Sequence, residues 1–218
     1  VLEPGSSNTY FNLANNFYGQ SKFHKANHFY KKSILLKADY ENSYNNLANS
    51  FASIGKSKNA IALYFKALVI NPVNGVTFNN LAAKLNDLGR YEEAVSKSKQ
   101  ALVLAPASAS AYNNLGFALY KIGKIDGALF GLNRALLIAP LLFEAYNNIA
   151  IVQGELAEFK NANNNSFKAI LIQPNFLAAY KNRGVFQYRL GALKNATLTL
   201  ARAIKICPED PISWASIY

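Results

Sequence analysis

Residues 109–142 read ASAYNNLGFALYKIGKIDGALFGLNRALLIAPLL. Apolar residues recur at helical spacing twice in this stretch, through Tyr112, Leu115, Leu119 and Ile122, then through Ala128, Ala135, Leu136 and Ile138. Gly123 lies between the two runs, where a left-handed residue closes a helix, and Pro140 follows the second, where a helix cannot continue. The stretch therefore predicts helix, turn, helix, turn.

The same reading extends along the chain with a fixed period. Pro72, Pro106, Pro140, Pro174 and Pro208 each fall 34 residues after the last. On that period the sequence divides without insertion into 7–40, 41–74, 75–108, 109–142, 143–176 and 177–210, with a lead-in at 1–6 and a partial seventh unit at 211–218. Position four is aromatic throughout: Tyr10, Tyr44, Phe78, Tyr112, Tyr146, Tyr180 and Trp214. Position eight is small (Ala14, Ala48, Ala82, Gly116, Ala150, Gly184), and position twenty is always alanine, from Ala26 through Ala128 to Ala196. Two small residues facing each other let two helices approach closely. One such pair cannot bury its apolar face alone, so successive pairs stack, and the fold is expected to be an all-α solenoid.

Composition agrees and excludes several classes. Apolar residues make up 51% and charged residues 16% of 218, enough for a core and unlike a disordered chain. No apolar run approaches the roughly 18 residues of a membrane span. Cys207 is the one cysteine and there are two histidines, too few for a disulfide framework or a Cys/His metal cluster. His24 and His28 are four apart on one helix face, but His-Lys-Ala-Asn-His lacks the glutamate a zinc hydrolase needs. No phosphate-binding glycine loop follows a strand, so we expect no cofactor and no catalysis. The chain starts at Val1, contains no methionine and stops at Tyr218 inside a helical pattern, which points to a piece of a longer protein, with cytoplasmic placement favoured.

These columns resemble the tetratricopeptide repeat, whose pattern has an aromatic at four, Leu-Gly at seven and eight, Gly at fifteen, Ala at twenty, an aromatic at twenty-four and Pro at thirty-two. Departures are local: Arg183 at position seven, Ser98 and Ser166 at twenty-four, Ala38 at thirty-two, and Ser21 and Ala157 at fifteen. The resemblance implies a right-handed superhelix whose concave surface is lined by positions two, five, six, nine, twelve and thirteen of each first helix.

Those positions hold much of an unusual surplus of asparagine, 27 residues in all. Position six is Asn12, Asn46, Asn80, Asn114, Asn148 and Asn182; position five adds Asn45, Asn79, Asn113 and Asn147; position nine adds Asn15 and Asn49. A primary amide offers donors and acceptors together, so it can pair with the N–H and C=O of an extended backbone. The column is similar to the asparagine ladder in the repeat superhelix of O-linked N-acetylglucosamine transferase. Two readings stay open, capture of an extended polypeptide and bonding between neighbouring repeats. Tyr120 and Tyr188 join the candidate site, with Phe11, Tyr18 and Phe117 nearby. Lys121, Lys181 and Arg189 stand against Asp87, Glu144 and Glu155 there. The basic clamp of the family's chaperone-binding members is absent, because position five is Asn rather than Lys wherever position nine is Asn after the first unit.

Net charge is +11, but much of the excess falls elsewhere: Lys32, Lys66, Arg134, Lys168 and Arg202 at position twenty-six, and Lys22, Lys56, Arg90 and Lys124 at sixteen. Both rows are read as lying near helix C-termini, where cations complement the macrodipole. The expected function is a non-catalytic scaffold for a protein or extended peptide. The alternatives are the substrate-recruiting region of a glycosyltransferase-like enzyme and an RNA-binding solenoid, with nucleic acid disfavoured. Trp214 and Ile217 at the open end suggest self-association there.

Overall fold

The computed structural model describes residues 6–208. The lead-in at 1–5 and the partial seventh unit with Trp214 and Ile217 lie outside the described residues, and so does the self-association expected there. Two compact units divide the chain, Val1–Pro106 and Ala107–Tyr218. The first holds α1 (Ser7–Gly19), α2 (Phe23–Leu36), α3 (Glu41–Ser53), α4 (Ser57–Ile70), α5 (Gly75–Asp87) and α6 (Tyr91–Leu104). The second holds α7 (Ala109–Lys121), α8 (Ile125–Ile138), α9 (Phe143–Glu155), α10 (Phe159–Ile172), α11 (Leu177–Arg189) and α12 (Leu193–Ile206). Every first helix occupies positions one to thirteen of the 34-residue period and every second helix positions seventeen to thirty. The described residues form an all-α repeat array.

Close helix pairing follows from the small residues. Position-twenty alanines Ala26, Ala60, Ala94, Ala128 and Ala162 are wholly buried. A Cβ added at Gly116 would stand 3.0 Å from the Ala128 carbonyl oxygen and 2.7 Å from Leu132 Cγ. One added at Gly131 would stand 3.3 Å from Gly116 Cα, so the α7–α8 crossing has no spare room on either side.

The turn after each first helix is a Schellman closure, in which Lys56 N–H donates to the Phe51 carbonyl and Gly55 N–H to that of Ala52. Position fifteen must then be left-handed. Gly55, Gly89, Gly123 and Gly191 have φ of 72–77°, and Ser21 and Ala157 are held at φ 57° and 59°. An L-residue there is strained by roughly 1–2 kcal/mol, which glycine relieves at some cost in unfolded-chain entropy. Ala157→Gly is therefore expected to raise Tm by about 1–3 °C. A fall in the melting curve would show that Ala157 makes a packing contact outweighing its backbone strain.

Ala38, at the proline position, changes little. Lys37 before it has φ −145° and ψ 93°, close to the −131° and 91° of Asn71 before Pro72. The extended joint is set by the stacking of repeats, and proline only reinforces it.

Two rows of charge stand differently from the sequence reading. Position sixteen is the N-cap of the second helix, occupied by Lys22, Lys56, Arg90 and Lys124, so these cations oppose the macrodipole instead of complementing it. Arg90 is answered by Glu93, which accepts from its Nε at 2.6 Å and from its Nη2 at 2.8 Å. Position twenty-six lies more than a turn before the end of the second helix. Three of its five cations rest instead over the position-four ring of the same repeat: Lys32 over Tyr10 at 5.4 Å, Arg134 over Tyr112 at 5.9 Å and Lys168 over Tyr146 at 5.4 Å. In the third repeat, where position twenty-six is Gln100, Lys97 takes this place over Phe78 at 5.6 Å.

Candidate peptide-binding face

Asparagine is a poor helix former, and its presence in the middle of six first helices needs a compensating interaction. The amides supply it by bonding from repeat to repeat. In the first compact unit Asn46 Nδ2 donates to Asn15 Oδ1 at 2.9 Å, and Asn80 Nδ2 reaches Asn45 Oδ1 and Asn49 Oδ1 at 3.3 Å each. In the second, Asn148 Nδ2 donates to Asn113 Oδ1 and Asn182 Nδ2 to Asn147 Oδ1, both at 2.9 Å. A position-six amide thus points back to position five or nine of the preceding repeat.

Burial separates the columns. Asn45 and Asn147 are buried, 7% and 5% exposed, and present almost no surface to a ligand. Their role here is to hold the next repeat's amide. Asn15, Asn46, Asn49, Asn79, Asn80, Asn113, Asn114, Asn148 and Asn182 are half-buried, and Asn12 is exposed. After its inter-repeat bond, Asn148 or Asn182 retains a second N–H and its own Oδ1.

A deeper support escaped the sequence reading. The phenols of Tyr30 and Tyr64, on second helices, cross the helix pair to donate to Asn15 Oδ1 at 2.7 Å and Asn49 Oδ1 at 2.5 Å. Both rings are 1% exposed. Burial pushes the Tyr30 phenol up to about 12 and the Tyr64 phenol up as well, so both remain donors at neutral pH. With Oδ1 held from two directions, the amide plane is fixed, and neither bond uses the Nδ2 donors. The signal was present in the columns: tyrosine at position twenty-four coincides with asparagine at nine in the first two repeats. Where Ser98, Leu132, Ser166 and Leu200 replace it, position nine is Ala83, Phe117, Ile151 and Val185.

Each compact unit carries a recess on this face. In the first, Tyr18, Asn49, Ser53, Asn80 and Lys84 line a space of about 230 Å³. Lys84 pairs there with Asp87. In the second, Ile151, Glu155, Asn182, Val185 and Arg189 line about 490 Å³. Gly154 lets the Phe186 ring pack against α9 at its edge, since a Cβ there would strike Phe186 Cε1. Tyr120 is half-buried and donates to Glu155 Oε1 at 3.3 Å; burial first and the Glu155 charge second raise its phenol pKa. Tyr188 is 63% exposed. No group of three or more His, Cys, Asp or Glu residues able to hold a metal occurs among the described residues, and no described helix is long and apolar enough to cross a membrane.

Paired antiparallel helices on an unbroken period, with a polar amide face, define an α-helical repeat protein built for contact along a surface. Family models match two stretches, one for "TPR repeat" over residues 84–123 and one for "Tetratricopeptide repeat" over 41–74. The chain is a tetratricopeptide-repeat protein. No curated protein sequence matches it. Among solved structures it is similar to the Cut9–Hcn1 hetero-tetramer of the APC/C (TM-score 0.91, 16% identity), covering 99% of this chain but 42% of that one. MamA is 28% identical with a TM-score of 0.58, covering 73% of this chain and 94% of that one. YrrB, described as a TPR protein with an unusual peptide-binding site, is 22% identical with a TM-score of 0.56, over 86% of this chain and 96% of that one.

Proposed function

We propose that this protein is a non-catalytic scaffold that binds an extended polypeptide along its first-helix face. The observation carrying this reading is the doubly held amide of Asn15 and of Asn49. A side chain fixed from two sides offers its remaining donor without further loss of rotamer freedom, which is the preorganisation that favours binding. The Nδ2 groups meet peptide carbonyls, and the free Oδ1 atoms of Asn80, Asn148 and Asn182 accept from peptide N–H groups. Position-six amides serve stacking with one donor and the ligand with what remains, so the two sequence readings combine. The description of YrrB is in keeping with a peptide site on such a repeat array.

Backbone capture predicts indifference to ligand side chains and dependence on ligand N–H groups. A fifteen-residue Ser/Gly/Ala peptide should bind, and the same peptide with alternate amides N-methylated should bind about tenfold or more weakly, because each lost hydrogen bond contributes roughly 0.5–1.5 kcal/mol. Equal affinity of the two peptides in isothermal titration would overturn the reading.

A further inference from the structure

Arg183 occupies position seven, where Leu13, Leu47, Leu81, Leu115 and Ile149 stand in the other repeats. It leaves α11 toward the second helices and emerges in a groove between α10 and α12. That groove encloses about 400 Å³, with Ile170, Leu171 and Leu198 as apolar walls and Arg183 and Arg202 as its charges. Among the described residues no carboxylate lines it. Among the described residues neither arginine has an ion pair.

The Arg183 guanidinium carbon stands over the Phe167 ring, 4.2 Å from its centroid, and its Nε donates to Asn163 Oδ1 at 3.4 Å. Neither the ring contact nor the Nε bond engages the two Nη groups, which are donors of the kind that take a carboxylate. Burial lowers the Arg183 pKa, so the cation is partly stripped of water and interacts more strongly with an anion than a surface lysine would. Leu171 and Leu198 are 63% and 60% exposed, so the groove has apolar surface beside its two cations.

We propose that the groove between α10 and α12 is a second docking site, for an acidic amphipathic segment of a partner protein. A Glu or Asp carboxylate would meet Arg183 and Arg202, and an aliphatic side chain one helical turn away would cover Leu171 and Leu198. Charge complementarity selects the acid and the exposed leucines select its apolar neighbour. The concavity selects a polypeptide over a lipid surface, because Arg183 is recessed between helices where a bilayer headgroup plane does not reach. This site is independent of the amide face.

The test uses the full chain and a fourteen-residue acetylated helical peptide with Glu and Leu at i, i+4 on one face, beside a copy carrying Gln for Glu. The wild-type protein should bind the Glu peptide about tenfold tighter than the Gln peptide, with a shift of the Arg183 side-chain Nε–H resonance. Arg183→Leu restores the residue type of the other repeats, so it should fold with unchanged or higher Tm and lose the preference for Glu. The Ser/Gly/Ala peptide should not compete. Failure of the wild type to discriminate the two peptides, an undiminished preference in Arg183→Leu, or Arg183-dependent binding to phosphatidylserine vesicles without peptide binding would each overturn the proposal.

Discussion

Ala128→Leu is expected to cost about 3 kcal/mol or more and to lower Tm by about 6–12 °C. Ala128 is 0% exposed, and its carbonyl oxygen sits where a methyl on Gly116 would touch. Three added carbons have nowhere to go, because Gly116 and Gly131 have already brought the two backbones together. The helices would have to part, and α7 and α8 would then lose contact along their whole length. Leu137, 70% exposed on the same helix, supplies the control, since its replacement by alanine should change stability by less than about 0.5 kcal/mol. Circular dichroism melts of the two variants decide the matter: similar losses from both would mean that the α7–α8 crossing tolerates expansion and that position twenty is small for another reason.

Those backbone features were the legible part. Proline at thirty-two, glycine at fifteen and alanine at twenty each answer a local demand, a stop, a left-handed turn or a close approach, and local demands can be read one residue at a time. Even the exceptions were visible, for Ser21 and Ala157 adopt the conformation their column requires despite the strain. What could not be read residue by residue was the partner of a long side chain. Lys32 and Arg134 look like solvated charges until the ring beneath them is known, and Lys56 looks like the end of one helix although it caps the next. The amide face lay between these cases. Its columns were evident, but the burial of Asn45 and Asn147 depends on how one repeat leans on the next. The tyrosine support depends on a reach of 15 residues across two helices.

That dependence sharpens the largest expected effect at the amide face, replacement of Asn46, Asn80, Asn148 and Asn182 by alanine together. Helix propensity rises, so each helix by itself is favoured. Each substitution nevertheless removes a bond between repeats. Asn182→Ala also strands the Asn147 Oδ1, which is 5% exposed, and such an orphaned acceptor costs about 1–3 kcal/mol. Stability should therefore fall. The proposed function makes a further demand, that the same amides also touch the ligand. Two lost contacts in each compact unit, of roughly 0.5–1.5 kcal/mol each, would weaken an extended peptide held by that unit by about one to two powers of ten, measured per folded molecule at a temperature where helicity is intact. Loss of Tm with full affinity retained would assign the amides to stacking alone, and would leave the recesses beside Tyr18 and Arg189 without the donors that make them a peptide site.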